Sequence, residues 1–358
     1  PNRFVMELKL HGKPVQAYIP NTGRLSEFMI PGQKFYLTRR QLPKFKYQVI
    51  GSEYQGHYVF LDTVKINRIF YKLLTEGCLT EFGSNLKVSS EIRLGSSRYD
   101  FLLTNLDKTR TIIEVKSCTL CHDGIAMFPD APTARGSRHL SGLEQLALQG
   151  YRVYNVFLIC HETAERFRPN CHTDPVYCRT LLKSPSIFLK AFSLKFRDPV
   201  TVDLQQTREV PVELPVQTVQ ELDRGSYLLV LKNFTDQEIA IGKMGKIRFP
   251  EGYYIYAGSA LNGLEKRIKR HQRLQKKQHW HIDYLIPHHM QVIGILPVKN
   301  PKPLEQELAE EIAQIARDSV KGFGAGDSKL DSHLFYFADS PIRISRFWDI
   351  VLKYRNRR

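Results

Sequence analysis

No apolar run in this 358-residue chain approaches the length needed to span a bilayer. The opening PNRFVMELKL also lacks the basic-then-apolar layout of a signal peptide. A soluble, cytoplasmic protein with no membrane partner is therefore expected, and the start at Pro1 points to trimming. Cysteine is sparse: six residues, at 78, 118, 121, 160, 171 and 178, all in the first half, exclude a disulfide scaffold and make reduced thiols the expectation. Cys118-x-x-Cys121 has the spacing of half a zinc or redox site, but no second CxxC accompanies it. Acids are in deficit, with 36 Asp and Glu against 52 Lys and Arg, leaving +16. Such a surplus favours polyanions through counterion release, nucleic acid first, although a basic proteome produces the same balance.

What is present suits two or three compact units, since hydrophobic residues make up 42% of the chain, enough for real cores. Short alternating segments, RFVMELKL, PVQAYIP, KFYLTRR, KYQVIGSEY and HYVFLDTV, predict a small β-barrel of the oligonucleotide-binding (OB) type over residues 1–62. From Asn67 the period turns helical in NRIFYKLLTEG, then KVSSEIRL, RYDFLLTN and TRTIIEVKS read as strands. HLSGLEQLALQG reads as a helix and YRVYNVFLIC as a buried strand, which together predict an α/β core over 63–205. Prolines 211 and 215 among mixed polar residues mark a linker at 206–223. A last domain, 224–358, combines strands such as SYLLVLKN and QVIGILPV with the helices GLEKRIKRHQRLQKK and PLEQELAEEIAQIARD. The fold class expected is thus α/β and β.

Asp100 sits in RYDFLL, and Glu114 and Lys116 in TIIEVKS, strands whose other positions are apolar. Acids in such strands need a partner or a task. Residues two apart share a face, so Glu114 and Lys116 project side by side while Val115 faces the opposite layer. Pairing of the two strands as a hairpin would bring Asp100 to the same spot. Two converging carboxylates attract a hard divalent cation, Mg²⁺ or Mn²⁺, that also binds the phosphate being cut. Lys116 would position or help deprotonate the attacking water and offset developing negative charge. A Glu114–Lys116 ion pair, with Asp100 closing a turn, accounts for the same residues without chemistry.

PNRFV at the start, PNTGRL at 20–25, GSSRYDFLL at 95–103, EVKS at 114–117 and DGIAMFPDAPTARGSRHL at 123–140 resemble the SfsA family over about residues 1–200. The resemblance implies an OB-like barrel followed by a PD-(D/E)xK nuclease fold, with DNA binding that does not depend on sequence. It implies that Asp100, Glu114 and Lys116 are the nuclease residues and that Glu91 or Glu76 is a further acid, the first one strand before Asp100 and the second on the preceding helix. In FPDAPTARG, Asp130, Thr133 and Arg135 contact substrate or brace the site from a loop stiffened by prolines 129 and 132. Arg3, Arg24, Arg98 and Arg135 are phosphate candidates, because a guanidinium can bind phosphate through two parallel hydrogen bonds.

GSY at 225–227, YIYAGSA at 254–260 and LEKRIKRH ending at His271 resemble a divergent GIY-YIG nuclease. That resemblance assigns Tyr227 and Tyr256 as its two tyrosines, Gly258 as the tight turn, Arg267 and His271 on one helix face, and Glu305 as the metal-binding acid. Arg267 would stabilise the phosphoryl transition state, a tyrosine would orient water, and a metal on Glu305 would assist the leaving oxygen. GSY and YAG depart from the family triads, its terminal asparagine is not identifiable, and Ser328 and Leu330 stand where the offshoot often carries cysteines.

Seven lysines and arginines with no acid run from Lys266 to Lys277, making Lys266, Lys269, Arg270 and Arg273 phosphate candidates or a solvated helix face. Strand spacing in HWHIDYLI puts His279, His281 and Asp283 on one face, with His333 downstream, as a metal or phosphate site or as packing. The expected function is metal-dependent hydrolysis of DNA, single- or double-stranded. The alternative is a non-catalytic DNA-binding regulator of sugar-metabolism genes. RNA is a third possibility, since such barrels stack bases of either kind on aromatics, here Tyr18, Phe35, Tyr36 and Tyr47.

Overall fold

The computed structural model describes residues 4–40, 44–83, 86–95, 97–215, 223–326 and 330–357, so Arg3 and Ser328 lie outside the described residues. The chain divides into two compact units, Pro1–Phe28 with Gly32–Pro215, and Val216–Arg358 with Met29–Pro31. Among the described residues no helix is long and apolar enough to cross a membrane.

All five alternating segments at the start become strands: β1 (Val5–Leu10), β2 (Lys13–Tyr18), β3 (Phe35–Arg39), β4 (Tyr47–Tyr54) and β5 (His57–Phe60). They join in the order β1-β2-β4-β3, with β5 on β4, around a core containing Met6, Ala17, Val49 and Val59 together with Leu25 and Phe28. The four proposed stacking aromatics divide. Phe35 and Tyr47 pack against this core, Tyr18 carries the Arg40 guanidinium 4.6 Å above its ring, and Tyr36 is exposed.

α1 (Ile66–Thr75), β6 (Lys87–Leu94), β7 (Ser97–Thr104) and β8 (Arg110–Cys118) follow as expected. After them come β9 (Leu120–His122), β10 (Ile125–Phe128), α2 (Ala134–Leu148), β11 (Arg152–Ile159), β12 (Arg166–Pro169), α3 (Pro175–Leu182), β13 (Phe188–Asp198) and β14 (Thr201–Glu209). A mixed sheet runs β14-β13-β11-β8-β7-β6, and β12-β10-β9 form a smaller one. Central strands covered on both faces read as continuous apolar runs, and β8 and β11 do. On one face Ile113 and Val115 meet Ile66, Phe70 and Leu73 of α1. On the other, Ile112 and Val153 meet Leu140 and Leu143 of α2 and Leu181 of α3.

Helix α2 starts at Ala134 rather than at His139, because Thr133 caps it, its Oγ1 accepting the Gly136 N–H at 3.0 Å. Helix α3 is capped by Asp174, which accepts the N–H groups of Val176 and Tyr177 at 3.1 and 2.9 Å. Its first turn returns Cys178 to Cys171. These two form a disulfide with Cα atoms 5.2 Å apart, correcting the expectation of six reduced thiols; the other four are free. The linker also needs correction. β14 runs to Glu209, Val210 is buried, and the Phe167 N–H donates to the Pro211 carbonyl at 2.9 Å, so residues 206–215 belong to the first unit.

The second unit contains β15 (Gly225–Asn233), β16 (Gln237–Ala240), β17 (Lys246–Phe249), β18 (Gly252–Ala260), α4 (Leu264–His271), α5 (His281–Leu285), β19 (Gln291–Lys299), α6 (Glu305–Ala313), β20 (Asp318–Ser319), β21 (Leu334–Phe337) and α7 (Ser345–Asn356). Its antiparallel sheet runs β19-β15-β18-β21-β20. Leu228 and Val230 of β15 face α6 and α7, whereas Tyr227 and Leu229 face the side of α4 and α5.

Two expectations fail in this unit. The basic helix ends at His271, where Arg270 turns to the Lys277 carbonyl at 2.8 Å and draws the following residues into a loop. HWHIDYLI is not a strand but opens α5, because Asp283 Oδ2 accepts the N–H groups of His279 and Trp280, both at 3.0 Å, and closes the first helical turn. His279, His281 and Asp283 therefore do not share a strand face.

Candidate functional site

The β7–β8 ladder begins at Thr104↔Arg110 and stops at Phe101↔Ile113. Beyond that pair Asp100 lends its Oδ2 to the Val115 N–H at 2.8 Å, and its Oδ1 accepts Asn67 Nδ2 at 2.7 Å. On the other side of β7 the register with β6 continues unshifted from Ser90↔Phe101 to Ile92↔Tyr99, and Glu91 between them adopts a φ of 54°. Glu114, only 3% exposed, accepts hydrogen bonds at its Oε1 from Lys116 Nζ on its own strand and from His139 Nδ1 of α2. Its Oε2 is buried without a hydrogen-bond partner. An orphaned buried carboxylate oxygen is costly and asks for a ligand. Beside a second carboxylate, it is a donor set that suits a hard cation.

The electrostatics separate the two acids. Burial and the Glu114 charge push the Asp100 carboxyl up, against the hydrogen bonds from Val115 and Asn67. Burial also opposes ionisation of Glu114, but the His139 hydrogen bond and the Lys116 charge outweigh it and hold that carboxyl low. The β7–β8 hairpin and the Glu114–Lys116 pair expected from strand spacing are both present.

Beside Asp100 opens a cavity of about 330 Å³ lined by Asn67, Arg68, Tyr71 and Glu91 among others. Glu91 faces it, with Arg98 3.7 Å from its carboxylate. Glu76 caps the far end of α1, nine residues beyond Asn67 and so roughly 13 Å along the axis. Helix α1 therefore brings Asn67 to Asp100, and not Glu76. Among the described residues no group of three or more His, Cys, Asp or Glu gathers as a metal site.

The FPDAPTARG segment mostly braces. A Cβ on Gly23 would stand 2.0 Å from Asp130 Oδ2, so the acid lies directly against the PNTGRL loop. Burial raises the Asp130 carboxyl, while the backbone amides of Leu25 and Arg24 and the Arg24 charge oppose that rise. Thr133 is a helix cap whose own N–H donates to Asp174 at 2.7 Å. Only Arg135 reaches towards the acids, its Nε donating to His139 Nε2 at 3.4 Å. Arg24, Arg98 and Arg135 are exposed. Sequence reading missed His139 and Asn67; the one available signal was the four-residue step from Arg135 to His139, a helical turn.

In the second unit Tyr227 lies opposite Gly258, where a Cβ would stand 2.6 Å from the tyrosine ring, so glycine is what lets the ring cross β18. The Tyr227 hydroxyl pairs with His271 Nε2 at 2.8 Å, and the Tyr227 and Tyr256 rings lie 6.3 Å apart. Burial pushes both phenols up and lowers His271 to about 4, so all three are neutral near pH 7.

Arg267 hydrogen-bonds Tyr227 and lies over Trp280 at 3.9 Å, a contact that sequence reading did not anticipate. Arg270 binds both oxygens of Asp283 at 2.8 Å. Against burial, this guanidinium and the backbone amides of Trp280 and His279 hold the Asp283 carboxyl at about 2. Arg270 is thereby committed to the fold, while Lys266, Lys269 and Arg273 are exposed. Glu305 opens α6 and stands 3.3 Å from His333. Both line a cavity of about 750 Å³ together with Tyr256, Arg267, His279 and His281. His281 Nδ1 accepts the Gly324 N–H at 3.1 Å.

Family profiles divide the chain in three. The SfsA N-terminal OB domain matches residues 1–61, the sugar fermentation stimulation protein RE domain 65–197, and the domain of unknown function DUF123 226–353. A sugar fermentation stimulation protein homolog from Moorella thermoacetica is 39% identical over 208 residues, 57% of this chain and 90% of the relative. The homolog from Carboxydothermus hydrogenoformans is 41% identical over 199 residues, 54% of this chain and 86% of the relative. The solved structure of Pyrococcus furiosus SfsA in complex with Ca²⁺ aligns with a TM-score of 0.53 at 30% identity, covering 59% of this chain and 91% of that one. With both parts of its first unit matched and most of each relative's length covered, the chain belongs to the sugar fermentation stimulation protein family, SfsA.

Proposed function

We propose that this protein is a metal-dependent nuclease that hydrolyses DNA phosphodiesters at a PD-(D/E)xK-type centre formed by Asp100, Glu114 and Lys116. The observation that carries this reading is the buried, unpartnered Oε2 of Glu114 beside Asp100. Those two carboxylates would hold Mg²⁺ or Mn²⁺, which when bound supplies Lewis-acid polarisation of the phosphate. The Ca²⁺ complex of the Pyrococcus furiosus relative supports an oxygen-lined cation site, because Ca²⁺ and Mg²⁺ share that preference.

Each neighbour then has a task. Lys116 and His139 both grip Oε1 and so leave Oε2 open. Asn67 and the Val115 N–H fix the two oxygens of Asp100. The Lys116 ammonium, its side chain 14% exposed, offsets charge as it develops on the phosphoryl group. Exposed Arg24, Arg98 and Arg135, with the net charge of +16, would hold the backbone without reading bases. Exposed Tyr36 keeps RNA as an alternative substrate.

The second unit is proposed as a GIY-YIG-type site. Arg267 at the cavity wall would stabilise the phosphoryl transition state. Tyr256, a protonated phenol, would orient water, while neutral His271 holds the Tyr227 hydroxyl.

One observation favours a non-catalytic DNA-binding regulator instead: the lack, among the described residues, of any group of three metal-ligating side chains. Binding of labelled DNA by anisotropy, measured beside cleavage in Mg²⁺ or Mn²⁺, decides between them. Asp100→Asn and Lys116→Ala are expected to lose first-centre cleavage and keep binding. Binding without cleavage by the unsubstituted protein would establish the regulator.

A further inference from the structure

Resting on the hydrolytic reading of the second cavity, we propose that His333 and Glu305 together form its cation site, a mixed nitrogen and oxygen pair that takes a transition ion such as Mn²⁺ in preference to Mg²⁺. His333 is 3% exposed, yet neither ring nitrogen makes a hydrogen bond. A buried imidazole ordinarily satisfies at least one nitrogen, and one that does not calls for a specific cause such as an ion. Among the described residues Glu305 stands against it in an ion-pair geometry, with Nδ1 3.3 Å from Oε1. Two donors at adjacent octahedral positions, each about 2.1 Å from the ion, stand about 3 Å apart. The pair already has nearly that spacing.

Backbone contacts hold the imidazole in place. The His333 N–H donates to the Phe323 carbonyl at 2.8 Å, and its carbonyl accepts the Ala257 N–H at 3.0 Å. The remaining ligand positions face the cavity that Arg267 and Tyr256 also line, where water and a phosphate oxygen would fill them. A neutral imidazole adds affinity for first-row transition ions and little for Mg²⁺, which is suited by oxygen ligands. The oxygen-only pair Asp100 and Glu114 has no such bias.

The test uses the full chain with Asp100→Asn and Glu114→Gln to silence the first centre, titrated with Mn²⁺ and read by electron paramagnetic resonance. Expected are one tightly bound Mn²⁺ per chain, displacement by Mg²⁺ only at an excess of about tenfold or more, and nitrogen modulation of the bound-ion echo. His333→Gln should abolish the modulation, whereas His279→Gln and His281→Gln should retain it. If His333→Gln does not fold, modulation that survives in the His279→Gln, His281→Gln double variant still assigns the nitrogen to His333, and its loss there overturns the proposal. Bound Mn²⁺ without nitrogen modulation overturns it outright. Nitrogen-ligated Mn²⁺ with no Arg267-dependent cutting would instead overturn the hydrolytic reading of the cavity and leave the cation site standing. Arg267-dependent cutting with no nitrogen on the ion would do the reverse.

Discussion

In the first unit His139 gives Nδ1 to Glu114 and shares Nε2 with Arg135, so both of its nitrogens are engaged and Glu114 Oε2 is the atom left open. In the second unit His333 engages neither nitrogen, and Glu305 stands next to it. One histidine shapes a carboxylate; the other is itself an available donor. On the proposed readings, the same two residue types, a buried histidine and a glutamate, would give an oxygen site in one unit and a mixed site in the other. What differs is whether a second polar group occupies the imidazole first.

The largest break in that comparison comes from Lys116→Ala, expected to lower first-centre cleavage by about 10²–10³-fold in single-turnover assays while Mn²⁺ binding at the second site is unchanged. Acid should act on the second unit next, through His271. His271 is held at about 4 in the fold, against about 6.5 in an unfolded chain. With the folded value depressed, the stability is fully present above about pH 6.5 and is lost as pH falls towards 4, on the order of 3 kcal/mol in all. Urea unfolding followed through Trp280 fluorescence should show that slope, and His271→Gln should flatten it.

A smaller effect sharpens the role of His139. His139→Gln is expected to weaken Mg²⁺ binding about 10–100-fold by calorimetry, because it orients Glu114 without touching the ion. Gly258→Ala should cost the second unit about 1–3 kcal/mol through the clash with the Tyr227 ring, seen as a lowered Tm for that unit alone.

The alternation of the opening strands and the apolar setting of Asp100, Glu114 and Lys116 were legible from local pattern, since a two-residue period and a buried charge leave few other solutions. His139 was not, because its approach to Glu114 depends on α2 starting at Ala134. That start is set by Thr133, whose N–H is held by Asp174, a residue 41 positions away. His279 to Asp283 misled for a related reason. Steps of two fit a strand, and only the carboxylate of Asp283 turning back to its own backbone makes the segment helical. Residues 206–215 read as linker because prolines 211 and 215 interrupt them, whereas the buried Val210 and the contact with Phe167 bind them to the first unit.

The decisive measurement is cleavage of labelled single- and double-stranded DNA and RNA with Mg²⁺, Mn²⁺ or chelator, comparing the unsubstituted protein with Glu114→Ala and Arg267→Ala. Metal-dependent cutting that persists in Arg267→Ala alone and disappears when Glu114→Ala is added to it is the expected result for the first centre. Cutting that survives in the double variant, or binding without cutting under every condition, would contradict it.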